Sequence, residues 1–160
     1  MKRVLFVCSA NQLRSPLAEA LFKEMIRRRG ESAAWQVSSA GVWALEGSPA
    51  ALAALRAASS RGLNLSGHVS RPVTQQLLDQ TDLVLVMERE HLEAMEEKFP
   101  AMAGRVHLLS SMAGEAGQVE DPVGLPFERV RGLMGELERL LEAGWPRIRD
   151  LAGVSRGGAR

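Results

Sequence analysis

Residues 3–17 read RVLFVCSANQLRSPL, and the order of elements in this stretch decides the fold. Arg3–Val7 is a short apolar run rich in β-formers and predicts a first strand. After Pro16, residues Leu17, Ala18, Leu21, Phe22 and Met25 recur at helical spacing, so a helix is expected from Pro16 to Arg29, stopped by Gly30. Ser15 suits the N-cap, and Pro16 suits the first helical position, where its missing N–H has no partner anyway. The residues between, CSANQLR, are too few for a helix or strand of their own, so the chain must wrap there.

The same alternation continues outward. A second strand is expected over Trp35–Ser39, ending at Ala40-Gly41. Ser48-Pro49 repeats the cap-plus-proline signature and predicts an alanine-rich helix to Arg61, closed by Gly62. Asp82–Met87 (DLVLVM) is apolar without alternation, which suits a parallel strand buried on both faces. Arg89–Phe99 reads as helix, Arg105–Leu109 as a fourth strand, and Ser110–Pro126, rich in glycine and punctuated by proline, as loop. Phe127, Val130, Leu133, Met134, Leu137, Leu140 and Leu141 form the stripe of a long last helix. The expected architecture is α/β: one domain over 1–152, a four-stranded parallel sheet with helices on both faces, and a frayed tail over 153–160.

Composition removes several function classes. With 160 residues, 46% apolar and 24% charged, the chain is a globular domain with enough core to need no metal or disulfide staple. Twenty basic against 19 acidic residues give a net charge of +1, which gives no support to a nucleic-acid reader. No apolar run approaches the roughly 18 residues that span a bilayer, so no membrane partner is expected. Val4–Val7 is too short for the apolar core of a signal peptide, and one cysteine allows neither an intramolecular disulfide nor a cysteine zinc site. A cytoplasmic protein is expected, with the lone thiol as packing or as the centre of the chemistry.

The wrapped loop favours chemistry. In open α/β sheets ligands sit outside the carboxyl ends of the strands, and the first such place holds Cys8, Arg14 and Ser15 in the spacing C-x5-R-S. A loop of this size running into a helix N-terminus can aim its backbone N–H groups at one oxyanion, aided by the helix dipole. Arg14 supplies a two-pronged fork to two phosphate oxygens. Cys8 then lies under phosphorus as nucleophile, its thiolate favoured by the same amides, the helix terminus, Arg14 and a donor at Ser15. Ester cleavage also requires an acid to protonate the departing oxygen. Asp121, held by Pro122 in the long loop after the fourth strand, fits that need; Asp79, Asp82 and Glu120 are rivals that spacing does not dismiss.

CSANQLRSPLAEALF after RVLFV, with SSAGVWALEGSPA, GLNLSGHVSRPVT, DLVLVMEREHL and EDPVG in order, resembles the low-molecular-weight protein tyrosine phosphatase family. The likeness runs from residue 3 to about residue 141. It implies hydrolysis of phosphotyrosine monoesters on a protein or peptide through a cysteinyl-phosphate, releasing inorganic phosphate with no metal or cofactor. Matched residue by residue, Cys8 is the nucleophile, Arg14 the phosphate clamp, Ser15 the thiolate partner and Asp121 the general acid. Ser9, Ala10, Asn11, Gln12, Leu13, Arg14 and Ser15 form the phosphate-binding loop. Asn11 holds that loop in a strained conformation, Ser39 and His68 support Asn11, and Trp43 walls the cleft.

Departures from the family pattern bear on specificity and redox behaviour. Ala10 stands where the family usually has glycine, and Leu13 where it usually has a second cysteine, so the protective disulfide of that pair is not available. Val123 follows Asp121-Pro122 in place of an aromatic, and the chain has no tyrosine. HVSRPVT and DLVLVM also resemble the family's protein arginine phosphatases, which typically carry threonine at the position of Gln12. Three alternatives therefore stand beside a phosphotyrosine phosphatase: a protein arginine phosphatase, an arsenate reductase coupled to an external thiol, and a non-catalytic anion- or phosphopeptide-binding module.

Overall fold

In the computed structural model, residues 1–154 are described. The strands are β1 (Lys2–Cys8), β2 (Trp35–Gly41), β3 (Leu83–Val86) and β4 (Val106–Leu108), and the helices are α1 (Arg14–Arg28), α2 (Leu52–Ser59), α3 (Gln75–Asp79), α4 (Arg89–Lys98), α5 (Leu109–Met112) and α6 (Phe127–Ala152). All strand pairs are parallel, in the order β2-β1-β3-β4, with Cys8 opposite Gly41 and Val7 opposite Val86. The chain therefore leaves β1 for one side of the sheet and returns through β3 on the other. Ligands of such folds bind at this switch, outside the carboxyl ends of the strands on either side of it.

Alternate residues of β1 feed two cores. Val4, Phe6 and Cys8 face the layer built from α1, α2, α5 and α6, while Leu5 and Val7 face the layer that includes Leu78, Ala94 and Met95 from α3 and α4. Phe6, Phe22, Trp35 and Trp145 interlock edge-on or tilted, with ring centroids 5.1–5.9 Å apart. Two of the three tryptophans are thereby spent on packing, and Trp43 alone is half exposed.

The structure departs from the sequence reading at specific places. Ser15 is not the N-cap of α1; the helix starts at Arg14 behind Leu13, and the Ser15 hydroxyl is turned to Cys8. Ser48-Pro49 does not open α2. Pro49 bridges Val69 antiparallel, and the Ser48 carbonyl and amide are bound by Ser70, so the chain runs extended until α2 begins at Leu52. The stretch that reads as loop from Ser110 begins inside the short helix α5, and α3, capped by Thr74 on the Leu77 amide, is an element the sequence pattern does not predict. Of the tail expected over 153–160, Gly153 closes α6 and residues 155–160 lie outside the described residues.

Candidate active site

The loop between β1 and α1 is held by its carbonyls. Those of Cys8, Ser9 and Gln12 accept from the amides of Val42 (2.9 Å), Trp43 (3.0 Å) and Ala51 (2.8 Å), all outside the loop. The Asn11 carbonyl meets His68 Nε2 at 2.7 Å, and that of Leu13 accepts from the Leu17 amide at 3.2 Å. No peptide bond among the described residues is cis. Across a trans peptide the next N–H points opposite to the carbonyl. The N–H groups of Ser9, Ala10, Gln12, Leu13 and Arg14 thus face the loop's concave side, which is how a chain makes an oxyanion nest.

Among the described residues Asn11 is the non-glycine residue with positive φ (57°), the left-handed conformation that asparagine tolerates better than most. It is fully buried, and each polar group of its side chain is engaged. Its Nδ2 donates to Ser15 Oγ (2.9 Å) and Ser39 Oγ (3.0 Å), and its Oδ1 accepts from the Arg71 amide (3.1 Å). Ser39 in turn donates to Glu19 (2.6 Å). Because Ser15 accepts from Asn11, its own proton is available to Cys8 Sγ at 3.0 Å, with the Ala40 carbonyl a longer alternative at 3.4 Å.

Arg14 is 2% exposed although it carries a full charge, so its partners decide whether the fold tolerates it. Nη1 donates to the Glu88 carboxylate and to the Val119 carbonyl (2.8 Å). Nη2 lies 3.4 Å from Ser9 Oγ and 3.6 Å from Asp121 Oδ2. Asp121 is exposed on its loop and takes the Val123 amide at 3.0 Å. Its rivals separate from the site: Asp82 binds the Arg3 amide at the opposite end of the sheet, and Asp79 accepts from Gln75 within α3. Glu120 is exposed beside Asp121, with no contact to Arg14 among the hydrogen bonds and ion pairs of the described residues.

Sequence reasoning missed Glu88 and His91. Glu88 follows β3 at the switch point, so the edge rule that singled out Cys8 could have found it. The two residues form a reciprocal cap at the start of α4: the Glu88 carboxylate takes the His91 amide, and His91 Nδ1 takes the Glu88 amide at 3.0 Å. His91 Nε2 reaches Ser9 Oγ at 2.8 Å, and the Trp43 ring lies 5.8 Å from the imidazole. Burial first, then the Arg14 charge, lowers the His91 pKa to about 4. Glu88, Glu90 and His91 have metal-ligating atoms within 4.8 Å of one another, but the cap and Arg14 already occupy Glu88 and His91 Nδ1. Gln12, half-buried, engages through its carbonyl, and no helix among the described residues is long and apolar enough to cross a membrane.

Residues 3–149 match the family model for low molecular weight phosphotyrosine protein phosphatase. The chain is 37% identical to the protein-arginine-phosphatase of Bacillus subtilis over 86% of its own length and 91% of that protein's. A low molecular weight protein tyrosine phosphatase from T. tengcongensis superposes with a TM-score of 0.87 at 33% identity, covering 92% of this chain and 99% of that one. A mutant of the YwlE arginine phosphatase with a phosphorylated active-site serine superposes with a TM-score of 0.86 at 34% identity, covering 96% and 98%. Family and fold agree with the geometry of the loop, and the chain belongs to the low molecular weight protein tyrosine phosphatase family.

Proposed function

We propose that this phosphatase hydrolyses phosphotyrosine in proteins by a two-step displacement centred on Cys8. Cys8 attacks phosphorus while Arg14 and the loop amides hold the non-bridging oxygens. The phosphorus–oxygen bond to the phenol breaks, and Asp121 gives its proton to the departing oxygen. Asp121 then takes a proton from the water that attacks the cysteinyl-phosphate, releasing inorganic phosphate. The observation that carries this reading is the meeting of four groups at one sheet edge: Ser15 3.0 Å from Cys8 Sγ, and Asp121 3.6 Å from buried Arg14. The phosphorylated serine of the related arginine phosphatase supports a covalent route. Half-exposed Trp43 at the mouth suits a phenol ring. A single free thiol suits action in the cytoplasm.

A protein arginine phosphatase is the second reading, favoured by the 37% identity to an enzyme of that name. Cys8, Arg14 and Asp121 serve a P–N bond in the same roles, and its leaving group also takes a proton. The deciding experiment measures kcat/KM on matched phosphotyrosine and phosphoarginine peptides, with C8S as blank. A preference of tenfold or more, about 1.4 kcal/mol in transition-state binding, assigns the substrate class. C8S is expected to lose turnover but keep phosphate binding, and appreciable activity in C8S overturns the mechanism.

A further inference from the structure

Ser9 follows Cys8 directly in the loop, and its hydroxyl is more constrained than its half-buried position suggests. His91 Nδ1 accepts the Glu88 amide at 3.0 Å, so in the neutral ring the proton is on Nε2. Nε2–H therefore donates to Ser9 Oγ at 2.8 Å. Arg14 Nη2 donates to the same oxygen at 3.4 Å. Two donors occupy the two lone pairs of Ser9 Oγ, and what remains is its own proton, which needs an acceptor. The side is set as well, because the guanidinium nitrogen that meets Ser9 is also the one 3.6 Å from Asp121 Oδ2. His91 cannot swing away: it is fully buried and covered by the Trp43 ring.

We infer that Ser9 is a second hydrogen-bond donor on the leaving-group side of the site, and that His91 is the positioning residue that turns the Ser9 proton towards the bridging atom. This deepens the phosphatase reading and rests on it. A bridging phenolic oxygen has lone pairs to accept that proton, and gains negative charge as the bond to phosphorus breaks. The bridging nitrogen of phosphoarginine carries hydrogen and shares its lone pair with the guanidinium, so it is a poor acceptor. The Ser9–His91 pair therefore selects O-linked phosphomonoesters over N-linked ones, at a position separate from Gln12.

The test uses kcat/KM on a series of aryl phosphates of rising phenol basicity, with S9A, H91N, H91Q and the S9A/H91N double variant. An asparagine at 91 keeps an acceptor near Nδ1 for the Glu88 amide and loses the donor to Ser9. A glutamine places its amide N–H near Nε2. S9A is expected to lose about twofold on the most activated ester and about tenfold or more on phenyl phosphate. H91N should reproduce that slope, H91Q should restore most of it, and the double variant should be no worse than S9A. The preference for phosphotyrosine over phosphoarginine peptide should fall about tenfold in S9A. A loss in S9A that is uniform along the series assigns Ser9 to holding Arg14 and overturns the inference alone, as does an H91N effect that persists in the S9A background. Absence of turnover by the unmodified chain on every ester overturns the phosphatase reading and this inference with it.

Discussion

Glu88, 18% exposed, forms an ion pair with the 2% exposed guanidinium of Arg14 across the switch point of the sheet. One residue comes from the helix that follows β1, the other from the end of β3. The pairing takes Nη1 and leaves Nη2 facing Ser9 and Asp121, so the fork is held at one prong and offered at the other. Removing one partner of a buried pair leaves an uncompensated charge and costs about 3–5 kcal/mol, the lower end applying where one partner reaches water. E88A is therefore expected to lower the thermal midpoint and to reduce kcat/KM by about tenfold or more. E88Q, which keeps an acceptor for Nη1, should fall between E88A and the parent. Equal kcat/KM for all three would mean that the remaining partners, Val119, Ser9 and Asp121, orient Arg14 without Glu88.

Asn11 combines a strained backbone with three side-chain hydrogen bonds, and two substitutions separate these roles. N11G keeps the left-handed conformation at little steric cost and loses the bonds to Ser15, Ser39 and the Arg71 amide. N11A loses the same bonds and adds a left-handed penalty of about 1 kcal/mol or more. Both should lose activity on phosphate esters, with N11A less stable than N11G in a denaturant titration. If N11G matched the parent in kcat/KM, backbone conformation alone would hold the loop.

What could be read in the sequence divides along a physical line. The strands and long helices announce themselves because period and apolarity are local, as in DLVLVM and the Phe127–Leu141 stripe. Cys8, Arg14 and Ser15 were legible because one loop carries all three. Ser15 reads as a cap in sequence, but its hydroxyl answers to Cys8 and Asn11, which are tertiary partners. Ser48-Pro49 misled for the same reason, through Ser70. The Val119 carbonyl that holds Arg14 has no signature, since any residue supplies a carbonyl. Leu13 could be read as a lost cysteine, but not as a buried residue whose carbonyl starts α1.

Gly41 ends β2 where the chain crosses the loop between β1 and α1. A Cβ there would lie 2.6 Å from the Ser9 carbonyl oxygen and 3.0 Å from the Asn11 amide nitrogen, both backbone atoms with no rotamer to yield. It would also meet the Ala44 Cβ at 2.7 Å. G41A must displace the loop that the Val42 and Trp43 amides anchor. Overpacking of this kind costs about 1–3 kcal/mol. The expected outcome is weaker phosphate binding by calorimetry, together with reduced turnover, in a variant that still folds. Phosphate affinity equal to the parent's would show that the loop shifts as a body without losing its shape.

His91 makes stability depend on pH in a direction that follows from its depressed pKa. Burial, then Arg14, lowers the pKa from 6.5 to about 4, against the opposing pull of Glu88 and Asp121; Glu90 places a carboxylate oxygen 4.0 Å from Nε2. Above about pH 6.5 both the folded and unfolded chains keep this ring neutral, and its contribution is complete. As pH falls below that, the unfolded chain takes up a proton that the folded chain refuses, so folding weakens progressively until the ring titrates near pH 4. The loss attributable to His91 is on the order of 3 kcal/mol at the acid end. H91N removes the titration while keeping an acceptor for the Glu88 amide. Unfolding free energies at pH 7.5 and pH 4.5 should therefore differ less in H91N than in the parent, although carboxylates weaken both proteins in acid. An equal fall in the two would place the acid sensitivity elsewhere, since a proton taken up by this ring lands on Nδ1 and breaks its bond to the Glu88 amide.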